Sequence, residues 1–450
     1  MNTPICDFVK KYSESNKIRL HMPGHKGQGF LGIEHLDITE IDGADVLYKA
    51  EGIIQESQDN ASSLFGSGRT FYSTEGSSLA IRAMLFLVKK FSQDGGLPPV
   101  LVACRNAHKT FVTAAAILDI DVKWIWPENE ENILSCKISP SYLDEFLSNQ
   151  KEKPTAVYVT SPDYLGNMSD ISGLAQVCHK HGILLLVDNA HGAYLKFLPE
   201  SMHPIDLGAD MCCDSAHKTL PVLTGGAYLH VSKDAPVMFR QQGENALSLF
   251  ASTSPSYLIL QSLDYANKYL TEGYREKVAD FIGKMNSLRE HLVSLKYTLV
   301  GTEPLKITID ARSIGYTGTE MAEILQKKDI VCEFSDPDYL VLMLTPEISR
   351  EKIDYIKSTF SEVFLKKTKT GVRPPSWAKE YPLHKIDAGK AIFMSSEELP
   401  VEQCLGRVLA SPTVSCPPAI PIVVCGETIN ESAIELFKYY GIKKCNVIKE

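Results

Sequence analysis

Between about residues 70 and 235 the chain alternates short apolar runs with stretches of helical periodicity, and this alternation limits most strongly how it can fold. PVLVACR (99–105), DVKWIW (121–126), TAVYVTS (155–161), ILLLVD (183–188) and GAYLHV (226–231) are rich in β-branched or aromatic residues. Apolar residues recur at helical spacing over 77–91, 108–118, 140–149 and 171–181. Strands that alternate with helices form a largely parallel sheet covered on both faces. Such a sheet binds its ligand at the carboxyl ends of the strands, so chemistry is expected just after each run.

Outside that region the pattern changes. Residues 1 to about 65 alternate polar segments with glycines, and HMPGHKGQGFLG holds too many helix breakers, so an irregular N-terminal arm is expected. Residues 257–295 read as one long helix with Leu and Tyr on one face. YTLVG, KITIDA, a helix near 318–328, DIVCEFS, YLVLMLT and a helix near 348–365 predict a smaller α/β unit. KTKTGVRPPSWAKEYP (367–382) carries three prolines and reads as a linker. A small C-terminal domain containing CPPAIPIVV and a final helix follows over 385–450.

Composition excludes several classes. With 46 Lys and Arg against 55 Asp and Glu in 450 residues, the net charge of −9 argues against a phosphate-backbone binder. Purely apolar runs such as Ile183–Val187 are far too short for a bilayer span, so neither nucleic acid nor membrane is an expected partner. MNTPICDFVKKYSES meets charge within a few residues, unlike a signal peptide. Eleven cysteines without a CxxC pair fit reduced thiols in the cytoplasm, with Cys212-Cys213 as strand packing. The twelve histidines show no ligand spacing with cysteines or carboxylates, so no metal site is expected.

The central pair is Asp188, at the end of ILLLVD, and Lys218, in DSAHKTLPVLTGG, thirty residues on (218 − 188). A lysine at such a place can bond a carbonyl cofactor, and a carboxylate opposite can keep a pyridine nitrogen protonated. Alone, the pair fits equally a surface lysine and a turn aspartate. In STEGSSLAIRAML, Gly76, Ser77 and Ser78 stand where a helix begins, a ready anion site or a simple cap. His108 follows the 99–105 run, placed to stack on a planar ring or to serve structure. His191 follows Asp188 by three, and Ser215 and His217 precede the lysine. Each signal is weak alone; their joint order at strand ends on one face is strong.

In that order the chain resembles a fold-type I pyridoxal-phosphate enzyme, specifically the Orn/Lys/Arg decarboxylase family in its short bacterial, arginine-decarboxylase-like form. The resemblance is carried by RLHMPGHKG (19–27), LDITEIDGADVL (36–47), RNAHKTF (105–111), TSPDYLG (160–166), VDNAHGAY (187–194), SAHKTLPVLTGGAYLH (215–230) and STSPSYLILQSLD (252–264). GYTGTE (315–320) and GRVLASPTVSCPPAIPIVVCGE (406–427) extend it over nearly the whole chain. It implies an aspartate aminotransferase-like α/β fold with a mostly parallel central sheet. The implied division is an arm over 1–65, a cofactor-binding large domain over 66–295, a small α/β domain over 296–370 and the family's C-terminal domain over 385–450.

It also implies pyridoxal 5'-phosphate as cofactor. Lys218 would be the Schiff-base lysine, Asp188 the partner of the pyridine nitrogen and His108 the stacking group. Ser77, Ser78, Ser215 and His217 would hold the phosphate, with His191 close by. Lys218, His217 and Asp188 are the implied catalytic set, Lys218 or His217 returning the proton to Cα. The site would be shared in a homodimer or larger homo-oligomer, with Ser252 or Thr253 reaching the neighbour's phosphate and His21 and His25 near the interface.

The expected reaction is decarboxylation of a basic L-amino acid, arginine favoured over lysine or ornithine. The buried distal cation would need an acid, for which Glu333, Asp336 and Asp163 are candidates. Transamination or side-chain cleavage on the same platform is the alternative, with Arg373 as a possible carboxylate grip; a non-catalytic regulatory relative is a third reading. Four departures stand out: Glu75 for a usual asparagine, Gly225 for a glutamine, Tyr48-Lys49-Ala50 for His-x-Pro, and Ala419 for a glycine.

Overall fold

The computed structural model describes residues 1–128, 133–366, 381–411 and 420–450. Most of the linker at 367–382, with Arg373, and the segment holding Ala419 lie outside the described residues. Seven strands, β1 (Arg69–Ser73), β2 (Val100–Cys104), β3 (Asp121–Ile125), β4 (Ala156–Thr160), β5 (Leu184–Asp188), β6 (Met211–Asp214) and β7 (Ala227–Val231), form one sheet ordered β1-β7-β6-β5-β4-β2-β3. β2 runs parallel to β3 and β4, and β5 parallel to β6; β7 is antiparallel to both β6 and β1. The central strands read as continuous apolar runs because both of their faces are covered, as β2 and β7 show by being buried at every residue.

By proximity the chain separates into two compact units, Met1–Pro99 with Ile171–Val278, and Val100–Asp170 with Ala279–Glu450. In the first, β5 and β6 stay in register through Asp188 and Cys213, and β6 pairs Asp214 with Tyr228 of β7. That register sets the ends of three strands side by side.

The N-terminal arm is more regular than expected. Helices span Pro4–Ser13 and Ile53–Phe65, and only the stretch between them is irregular apart from short turns of 3-10 helix. The first buries Ile5, Val9 and Tyr12, and its open N-terminus is capped by Asp264, whose Oδ2 accepts the Cys6 N–H at 2.9 Å. The second starts without a side-chain cap of its own; Asp45 Oδ2 accepts from Gly52 N, Ile54 N and Gln55 N. Sequence reasoning missed both helices because each borrows its cap from outside the local window.

The helix expected over 257–295 is two helices, Tyr257–Thr271 and Tyr274–Ser294, parted at Gly273, whose φ of +79° a helix cannot hold. β1 and the helix Val237–Ser248 were not anticipated. In the second unit, β8 (Thr298–Val300), β9 (Lys306–Asp310), β10 (Phe334–Ser335) and β11 (Tyr339–Met343) make an antiparallel sheet ordered β10-β11-β9-β8. DIVCEFS contributes only its last two residues as strand. GYTGTE becomes a capping box: Thr317 Oγ1 accepts the Glu320 N–H at 3.0 Å and Glu320 Oε2 accepts the Thr317 N–H at 2.8 Å. The final helix, Glu431–Tyr439, is followed by β13 (Lys444–Ile448), paired antiparallel with β12 (Ser396–Pro400).

Candidate active site

Asp188 ends β5 and is buried, its Oδ1 accepting the Ala190 N–H at 3.2 Å and facing the Cys213 thiol at 3.6 Å. Three residues on, His191 is buried too, and its Nε2 lies 3.1 Å from Lys218 Nζ. Lys218 sits in a single helical turn, Ala216–Thr219, that starts two residues after β6. The parallel pairing of β5 and β6 is therefore what brings an acid, an imidazole and an amine to one sheet edge.

The helix Gly76–Asp94 follows β1, and Ser215 Oγ donates to Ser77 Oγ at 2.8 Å, so the hydroxyls of two chain segments meet at this helix start. Gly76 has φ +72°, and a Cβ there would meet nothing within 4 Å: open space lies over the first turn. Its N–H donates to the Gly225 carbonyl at 2.7 Å. Gly225 itself has φ +101°, and a Cβ on it would come within 2.8 Å of the Thr74 carbonyl oxygen. A glutamine could not adopt this turn, so the departure at 225 is a backbone requirement of this chain. Ser78 occupies the third position of the same helix.

The Glu75 carboxylate turns away from the helix start, Oε1 accepting the Ser252 N–H at 2.7 Å. Ser252 and Thr253 are exposed on that turn. His217 Nδ1 lies 3.0 Å from the Gly226 carbonyl, and since only a protonated nitrogen can donate there, Nε2 is the outward atom. Burial first, then the charge of Lys218, holds this imidazole below the usual histidine range.

His108 belongs to the second unit, where it caps the helix Lys109–Ile117 with Nδ1 accepting the Thr110 N–H at 3.2 Å; its side chain is exposed. His21 meets the Tyr12 hydroxyl at 2.6 Å and His25 meets Asp37 at 3.2 Å, both within the arm. Of the three acids considered for a distal cation, Asp163 is buried and accepts from Leu165 N and Asn167 N. Asp336 is buried and accepts from Asp338 N and Tyr339 N, whereas Glu333 is exposed.

Sequence reasoning missed a buried cluster directly beneath these groups. Asp214 Oδ2 receives His203 Nε2 at 3.0 Å and His230 Nε2 at 3.2 Å, and Oδ1 receives Asn189 Nδ2 at 2.7 Å. All four side chains are fully buried. Burial pushes the Asp214 carboxyl up, but the two imidazoles hold it well below the usual carboxylate range. The only sequence signal was a histidine and an aspartate inside strands otherwise wholly apolar.

The donor set suits an anionic, planar cofactor with a carbonyl: hydroxyls at the start of a 19-residue helix, open space over Gly76, an amine and a buried acid. The fold with these strand-end groups is that of the fold-type I pyridoxal-phosphate enzymes. The comparisons place it further: a profile described as "Orn/Lys/Arg decarboxylase, major domain" matches residues 3–309 and one for the C-terminal domain matches 380–445, and the chain belongs to that pyridoxal-phosphate-dependent family.

An arginine decarboxylase of Bacillus subtilis is 29% identical over 97% of this chain and 93% of its own length, and one of Bacillus cereus 30% over 94% and 96%. A Bacillus subtilis protein named as uncharacterized, YaaO, is 28% identical over 97% of this chain and 93% of its own length. Among solved structures, the Francisella novicida lysine decarboxylase LdcF superposes with TM-score 0.81 at 17% identity, covering 99% of this chain and 81% of that one. The Escherichia coli constitutive lysine decarboxylase gives 0.79 at 16%, covering 100% and 82%. Among the described residues no helix is long and apolar enough to cross a membrane.

Proposed function

We propose that this chain decarboxylates a basic L-amino acid, arginine ahead of lysine and ornithine, to its amine and CO2 as a step of polyamine metabolism. One observation carries the reading: Lys218 Nζ meets His191 Nε2 at 3.1 Å, three residues after the buried Asp188. It occurs in a chain whose relatives over nearly its full length include arginine decarboxylases.

Lys218 would bond the cofactor's carbonyl carbon, Asp188 would hold a proton on its pyridine nitrogen, His108 would stack on the ring and His191 would lie close by. Ser77, Ser78, Ser215 and His217 would hold the phosphate. When bound, pyridoxal phosphate supplies the electron sink for the pair left by departing CO2. The return of a proton to Cα falls to Lys218 rather than His217. The His217 Nδ1–H is committed to the Gly226 carbonyl, and the neutral ring has no proton on Nε2 to give; a second proton drawn there by phosphate would be held by phosphate.

Asp163 spends both oxygens on Leu165 and Asn167, and Asp336 is buried with Oδ1 taken by its own turn, so of the three acids Glu333 is the one exposed to meet a distal guanidinium. We further propose a large cofactor-binding domain over 66–295 and a homodimer in which Ser252 or Thr253 completes the neighbour's site. Cytoplasmic residence is supported by the ten cysteines of the described residues, all free.

Mass spectrometry of products tests the proposal. Loaded protein given equal arginine, lysine and ornithine should yield agmatine first, and Lys218→Ala should yield no amine and lose the absorbance band of the lysine-bound cofactor. That band without any amine from the three substrates would overturn it.

A further inference from the structure

We propose that Asp214 is a positioning residue: by gripping Asn189 it fixes the spacing between Asp188 and Lys218. The inference rests on the reading above, in which those two residues hold opposite ends of the cofactor.

The geometry leads there by three routes. Asp214 immediately precedes Ser215, the start of the turn that carries Lys218, and Asn189 immediately follows Asp188. The β5–β6 ladder ends at Asp188 and Cys213, and the Asn189 N–H still reaches the Cys213 carbonyl at 3.0 Å. The 2.7 Å bond from Asn189 Nδ2 to Asp214 Oδ1 then ties the two strands one residue past the ladder, where both enter the site. Third, Asn189 Oδ1 rests against Gly192, where any Cβ would collide with it. Gly192 is the neighbour of His191, and His191 meets Lys218, so the amide shapes the loop that faces the amine.

A buried acceptor without a partner requires a reason. Asn189 Oδ1 has none among the described residues, because Asp214 accepts and so turns the amide nitrogen toward itself. A leucine would remove that orphan; the asparagine keeps the link.

Beneath, Asp214 is held by two imidazoles. His203 Nδ1 accepts the Ile205 N–H at 3.4 Å, which leaves the ring proton on Nε2. His230 donates from Nε2 while its Nδ1 lies 2.8 Å from the Thr70 hydroxyl. His203, Asp214 and His230 also group tightly enough to suggest a metal. With its proton on Nε2, however, His203 faces the carboxylate as a donor and not as a ligand.

The test compares loaded wild type with Asp214→Asn and Asn189→Leu, reading the lysine-linked absorbance band against pH alongside steady-state rates. Both variants should bind cofactor, shift the midpoint of that band by about one pH unit, and lose about 10- to 100-fold in kcat with KM within about twofold. If Asp214→Asn does not fold, Asn189→Leu alone decides. A wild-type midpoint and kcat in the folded variant, or a loss confined to melting temperature, overturns the inference. Wild type that shows no lysine-linked band at all sinks the underlying reading instead.

Discussion

Two aspartates, one in each compact unit, are equally cut off from water and behave in opposite ways. Asp214 and Asp336 are both fully buried. Asp214 is met by three side-chain donors, two of them imidazoles, and stays ionised below the usual carboxylate range. Asp336 receives two backbone N–H groups on Oδ1 alone, its Oδ2 has no partner among the described residues, and Asp338 adds a second carboxylate nearby. Burial, then that neighbour, pushes its carboxyl up to about 7. Depth does not decide whether a buried acid keeps its charge; the donors delivered to both oxygens do. The first unit invests three polar side chains in one carboxylate beneath the proposed site, whereas the second leaves an acid that holds its proton until near neutrality.

The largest test of the contrast is truncation. Asp214→Ala strands three buried donors and should cost about 3–5 kcal/mol, read as a lower urea midpoint. Asp336→Asn should act with the opposite sign and only in one pH range. Because the folded carboxyl titrates near 7 and an unfolded one near 4, the folded state binds the proton more tightly, so stability is full below about pH 4 and falls as pH rises toward 7. The asparagine cannot ionise. The variant should match wild type at pH 4 and exceed it progressively up to pH 7 to 8 in urea titrations; a constant offset across that range would contradict the assignment. Smallest is Thr70→Val, which removes the hydroxyl that meets both His230 Nδ1 and Ser67 Oγ. It should cost about 1–2 kcal/mol by the same assay while leaving the 3.2 Å His230–Asp214 contact in place.

The central sheet was legible in the sequence because its strands are covered on both faces and so write themselves as apolar runs. The meeting of the Asp188 loop with Lys218 was foreshadowed because the acid ends one apolar run and the lysine follows shortly after the next strand. The Asp214 cluster was not: Asn189, His203 and His230 lie 25, 11 and 16 residues from it, just past β5, in the loop before β6 and in β7, and only the folded chain brings them together. His230 in particular occupies one position of a strand buried throughout, with no local cue that its partner is an acid. The Pro4–Ser13 helix escaped for a similar reason, its cap lying 258 residues away at Asp264. The fault at Gly273 was visible only as one glycine in a long helical pattern. Local pattern reveals which segments are elements; it does not reveal which distant side chains complete them.

The join at the start of the Gly76–Asp94 helix has a consequence for how the protein is made. Its two ties, Gly76 N–H to the Gly225 carbonyl and Ser215 Oγ to Ser77 Oγ, close loops of 149 (225 − 76) and 138 residues. At a translation rate of roughly 5–20 residues per second, the helix waits on the order of ten to thirty seconds for its partners to leave the ribosome. Through that interval the nascent chain has the helix but no cradle. The proposed cofactor cradle is therefore complete only after Gly225 has left the ribosome, late in biogenesis.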